Sequence, residues 1–133
     1  MRGFIPYSNE DGRVNPWEYL PCSAITPKLG MALYMSSGNL AIATGTTKPT
    51  YISMVEKDAA CSAGDIIPVI KVLPDQVFEC TNSASLSGVP IGSKVTLHAS
   101  NGLQITGTTS SGVASIVAKD GDASGSRCLV RFD

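Results

Sequence analysis

Residues 45–65 read "GTTKPTYISMVEKDAACSAGD", and residues 107–126 read "GTTSSGVASIVAKDGDASGS". The two stretches begin 62 residues apart and carry the same landmarks in the same order. Lys57-Asp58 matches Lys119-Asp120 at 62, Gly30 matches Gly92 at 62, and Gly64 matches Gly125 at 61. Each half reads as a glycine, a strand, a Gly-containing turn, a strand, the GTT loop, a strand, Lys-Asp, a small-residue turn, a glycine and a strand. Repetition at a fixed spacing marks a structure built from copies of one unit. A unit of roughly 45 residues buries too little apolar surface to stand alone, so two copies are expected to share one core.

The unit itself reads as β-structure. Short apolar runs such as "MALYM", "TYISMV", "IIPVIKV" and "VFECTN" are cut by glycine and Ser/Thr clusters, and β-branched residues recur within them. "SSGN" is a turn between two of these runs. In "SKVTLHAS" Val95, Leu97 and Ala99 alternate with Lys94, Thr96 and His98, the pattern of a half-buried strand. Asn101-Gly102 follows, a strong hairpin signal. Pro68 places its strand at an edge or a bulge. The expected fold is all-β: two similar small β-units, as a sandwich or partly open barrel, with an extended N-terminal arm. The expected divisions are an arm over 1–21, a first unit over 22–82 and a second over 83–133, the two units packed as one body.

The arm, "MRGFIPYSNEDGRVNPWEYLP", has three prolines and two glycines. It nonetheless holds Phe4, Tyr7, Trp17 and Tyr19, half of the eight aromatics in the chain. Disordered tails are poor in aromatics, so this segment is expected to lie against something. Two surfaces are open to it, its own domain or another subunit, where Trp and Tyr are favoured anchors. Phe4, Tyr7, Trp17 and Tyr19 are the candidate partner-binding residues. On the second reading, removal of residues 1–20 leaves a folded domain that no longer binds.

Composition narrows the function. Of 133 residues, 43% are hydrophobic and only 16% charged, against a usual charged share of about 25%. The net charge is −1 and the ten basic residues form no cluster, which argues against nucleic acid as a partner. No apolar run approaches the ~20 residues of a membrane span, and the first residues lack a signal peptide's apolar segment. A cytoplasmic origin is expected, with Cys22, Cys61, Cys80 and Cys128 as free thiols. Their spacing fits no zinc site.

Catalytic constellations are not apparent. His98, the one histidine, falls on the polar face of its strand. The acidic pairs Glu56/Asp58 and Asp120/Asp122 sit in turns among Gly, Ala and Lys, not in the apolar setting that separates an acid from a base. "DGDASG" lacks the downstream Glu of a calcium loop. The chain is expected to be no enzyme, with no cofactor and no metal.

Residues 30–33, 37–43, 50–55 and 59–72 together resemble the recurring text of small virion proteins of tailed bacteriophages. That text is a Gly-led strand, a "dG.l..at" hairpin, a strand around "p.gis", and "..aa.G..i.v" before a closing strand. The glycine of the third element is Tyr51 here. The resemblance covers residues 26–78, and the second half joins it through the repeat. It implies a head decoration, or capsid-stabilising, protein on the outside of the virion capsid. Such a protein cements neighbouring subunits of the major capsid protein, as a homo-oligomer with a trimer favoured. Another tail, head–tail or head-fibre component, or a host-surface or carbohydrate-binding module, is the alternative.

Overall fold

The computed structural model describes residues 2–10, 12 and 14–133. Residues 1, 11 and 13 of the expected arm lie outside the described residues. Among these residues every regular element is a strand: β1 Ile5–Ser8, β2 Trp17–Pro21, β3 Ala32–Ser36, β4 Asn39–Ile42, β5 Tyr51–Ser53, β6 Ile66–Lys71, β7 Val77–Asn82, β8 Lys94–Val95, β9 Gln104–Ile105, β10 Ala114–Lys119 and β11 Arg127–Arg131. They form two sheets. One runs β2-β6-β5-β3-β4; the other runs β1-β7-β11-β10-β8, with β9 against β7. All pairings are antiparallel except β7 with β9. The protein is all-β with two similar units and no closed barrel.

The duplication is written in the backbone hydrogen bonds. Strand order β2-β6-β5-β3 in the first unit repeats as β7-β11-β10-β8 in the second. Gly30 N–H donates to Ser53 O at 2.9 Å, and Gly92 N–H donates to Ile116 O at 2.8 Å. Gly64 N–H reaches Cys22 O at 2.8 Å, and Gly125 N–H reaches Asn82 O at 2.9 Å. Ser23 binds Leu40 O through both its N–H (2.9 Å) and its hydroxyl (2.8 Å). Ser83 does the same to Ile105 O, at 2.8 and 3.1 Å. The four glycines have φ of +82, +95, +93 and +87°. Only glycine adopts that backbone cheaply, which is why these landmarks survive in both halves.

This circuit moves both expected boundaries. Trp17–Pro21 is the first strand of unit one, and Val77–Asn82 the first strand of unit two. Divisions at 22 and 83 cut that strand from each copy. The proline-rich text hid the first strand, and the turn-rich segment after Asn82 looked like the natural break.

The arm is not a separate leader. β1 lies antiparallel on β7, with Ile5 opposite Glu79 and a bulge between Pro6 and Ser8. β2 pairs with β6 along its whole length, Trp17 opposite Ile70 and Pro21 opposite Ile66. Pro6 is accommodated because β1 is an edge strand. Gly3 and Phe4 donate from their N–H groups to Leu29 O (2.9 Å) and Gly30 O (2.7 Å), so the segment is stitched to both units. A Cβ on Gly3 would stand 2.3 Å from Gly30 O, so this crossing requires glycine. A truncation at residue 20 therefore removes sheet and core, and does not leave an intact domain.

Two apolar clusters hold the body together. The smaller lies inside unit one and includes Cys22, Leu33, Leu40, Ile67 and Val69. The larger fills unit two and takes in Ala32, Ile52 and Ile70 from the outer face of unit one. The first sheet is thus buried on one face and covered over its middle on the other, while the outer ends of β2 and β6 stay exposed. One further expectation needs correction, and another gains detail. Pro68 sits in β6, between β2 and β5, not at an edge. It is tolerated because β5 ends at Ser53, and Met54 N–H donates to Pro68 O just beyond that end, at 3.0 Å. The hairpin expected at Asn101-Gly102 forms, with a loop wider than two residues: Leu97 bridges Ile105 antiparallel, and His98 N–H donates to Gln104 O at 2.9 Å. Leu103 inserts into the unit-one cluster, and Gly102 O accepts from Ala32 N–H at 2.8 Å. Those contacts with the other unit hold the loop of the hairpin open.

Candidate docking face

Phe4 leaves the set of candidate anchors. It is wholly buried, and its ring packs edge-on against Phe132 with centroids 5.1 Å apart. A ring used in the chain's own core is not free to bind another protein. The other three stand on the surface: Tyr7 is 55% exposed, Trp17 54% and Tyr19 65%.

Strand alternation brings two of them together. In "WEYLP" Trp17, Tyr19 and Pro21 point to one side. Their partners on β6 are Ile70, Pro68 and Ile66, and Ile66 is 56% exposed. The outer face of β2 and β6 is therefore an apolar stripe. Its Ile70 end is covered by unit two, while its Ile66 end is open. Rings on a rigid sheet keep few rotamers to lose, which favours their use as anchors.

Tyr7 reaches the same region from the other sheet. Between β1 and β2 the chain crosses from one sheet to the other and frames a cleft of about 410 Å³. Pro6, Tyr7, Val14, Trp17, Met54 and Ile70 give it apolar walls, and Ser8, Asn15 and Gln76 add polar groups. Asn15 is buried, and its Nδ2 donates to Lys71 O (2.8 Å) and Gln76 Oε1 (2.7 Å). These bonds fix the crossing segment to the floor of the cleft. Tyr7 is held from below by Arg127, whose guanidinium lies 5.7 Å from the ring centroid. Arg127 is steadied in turn by Glu79 at 2.7 Å and Asp120 at 3.5 Å. The Glu79 hydrogen bond and charge push the Arg127 pKa further up, so this cation persists at any ordinary pH.

Val14, Met54 and Ile66 belong to this face and were not expected. Attention to aromatic rings passed over them. The one available signal for Ile66 was the doubled isoleucine opening "IIPVIK", in which one of two neighbours must face outward.

The acidic pairs and the histidine singled out in the sequence are in part tied to the backbone. His98 Nδ1 accepts from the N–H groups of Ser100 (3.1 Å) and Asn101 (3.2 Å), closing a bend. Glu56 accepts from Leu29 N–H at 3.0 Å, which holds its carboxyl below the ordinary range. Asp122 pairs with Lys119 at 2.6 Å. Lys119 Nζ also donates to Val89 O at 2.9 Å, tying the Lys-Asp landmark to the loop after β7. Among the described residues no three His, Cys, Asp or Glu side chains gather as a metal site. No family model, curated protein or solved structure matches the chain.

Proposed function

We propose that this protein is a structural binding module whose exposed aromatic face docks on a larger protein assembly. On the virion reading that assembly is a phage head, and the docking surface belongs to neighbouring subunits of the major capsid protein. The observation that carries the proposal is that Tyr7, Trp17 and Tyr19 are all more than half exposed, Tyr7 and Trp17 lining one cleft with Val14, and Trp17 and Tyr19 sharing the outer face of β2 and β6 with Ile66. An exposed patch of this kind, set in a surface of low charge, marks an interaction site. The mode of attachment differs from a reaching leader. The aromatic segment is already fixed in both sheets, so docking orders no new chain and its entropic cost is small. Repetition over many equivalent capsid sites, or as a homotrimer, would multiply a modest contact into firm attachment. Co-sedimentation with purified expanded shells tests this proposal. Saturable binding to shells that lack the protein supports it, and its absence at micromolar concentrations overturns it.

A second reading rests on the cleft. Tyr7 and Trp17 line one hollow together with the amides of Asn15 and Gln76, an arrangement that suits a sugar ring. Binding to a glycan panel, with no binding to shells, favours this alternative.

A further inference from the structure

Cys80 and Cys128 occupy directly opposed positions on β7 and β11. Their sulfur atoms are 3.7 Å apart, and both are free thiols. Opposed residues of an antiparallel pair have Cα atoms about 4.5–5.5 Å apart, within the range that a disulfide spans. Closing the gap to about 2.05 Å needs side-chain rotation and no movement of the strands. Cys80 also lines a surface hollow of about 160 Å³, together with Arg2, Ile5, Glu79 and Arg127. The hollow brings a small oxidant up to the strand that carries Cys80; Cys128 does not line it, and both side chains are buried in the core. The hydrogen bond between the thiols holds Cys128 below the ordinary thiol range and raises Cys80 well above it, so Cys128 is the readier thiolate.

We propose that Cys80 and Cys128 are an oxidation site that closes to a cross-strand disulfide when a small peroxide reaches the pair. The Cys128 thiolate attacks one oxygen of hydrogen peroxide, the O–O bond breaks and hydroxide leaves, giving a sulfenic acid. The Cys80 sulfur then attacks the Cys128 sulfur, the S–O bond breaks and water departs with the Cys80 proton. The two thiols lose two electrons, and the peroxide takes them up. The link fastens the strand that carries β1 to the strand beside it, across 48 residues of chain.

The test treats the folded protein with hydrogen peroxide, alkylates the remaining thiols, and maps the peptides without reduction. The expected product joins the peptides of Cys80 and Cys128, leaves Cys22 and Cys61 alkylated, and raises Tm by roughly 5–15 °C. The Tm gain should vanish on adding a reductant. In C80S and C128S no link should form, and the wild-type map decides the matter if either variant fails to fold. Oxidation that joins Cys22 to Cys61 instead, or converts Cys128 to sulfinic acid without a link, overturns the proposal.

Discussion

Phe4→Ala separates a built-in N-terminal segment from a loose one. Phe4 is wholly buried and stacks on Phe132, which in turn meets Phe78 at 5.6 Å. Truncating such a ring costs about 3–5 kcal/mol through lost burial and the cavity left behind. A domain of this size has about 5–15 kcal/mol in all, so the loss is a large share of its stability. At roughly 2.1 cal/mol/K per residue, 133 residues unfold with an entropy of about 0.28 kcal/mol/K near Tm. The expected fall in Tm is therefore about 10–18 °C. Urea and thermal melts followed by circular dichroism measure it, with Tyr7→Ala as the control. Tyr7 is more than half exposed, so its truncation should cost about 1 kcal/mol or less. If Phe4→Ala melts within about 1 kcal/mol of the parent, the segment is not part of the core and the reasoning fails.

Gly3→Val should destabilise at least as much as Phe4→Ala, because its Cβ would collide with Gly30 O and displace the whole crossing; the same melts check it. Deleting residues 1–21 should give an aggregating or unfolded product, since β1, β2 and Phe4 leave with it; a soluble species with an intact β spectrum would contradict this. Asp133 accepts a 2.6 Å hydrogen bond from the Ser115 hydroxyl, which lowers its pKa. A depressed carboxylate stabilises the fold above its unfolded value near 4 and loses that contribution as pH falls below it. Ser115→Ala should thus cost no more than about 0.5 kcal/mol at pH 7, given the exposure of the pair, and less at pH 2. Equal losses at both pH values would show that the hydroxyl acts through packing instead.

The repeat was the most informative part of the sequence because its landmarks are backbone requirements. Gly30, Gly92, Gly64 and Gly125 hold positive φ at matched points, so each copy had to keep them. The first strand of each unit carries no such landmark. Trp17–Pro21 and Val77–Asn82 occupy equivalent places with unrelated residues, and pairing with β6 and β11 fixes them only in three dimensions. The same limit applied to the arm. Trp17 and Tyr19 stand out in the sequence as rings, but the strand that sets both on one exposed face is fixed by pairing with β6. Nothing local distinguished Phe4 from Tyr7; their fates are set by Gly30 and Phe132, which lie far along the chain. The hairpin at Asn101-Gly102 was legible, but not the width of its loop, because Leu103 is claimed by the other unit's core.

The docking face itself is tested most directly by a paired substitution, Trp17→Ala with Tyr19→Ala, and a binding isotherm on expanded capsid shells. Both rings are more than half exposed, so the variant should remain folded, losing about 1 kcal/mol or less per ring. Loss of two central anchors, at about 2–4 kcal/mol for the stronger, should weaken binding at least 30-fold. A folded variant that binds shells with the parent's affinity would contradict the central claim.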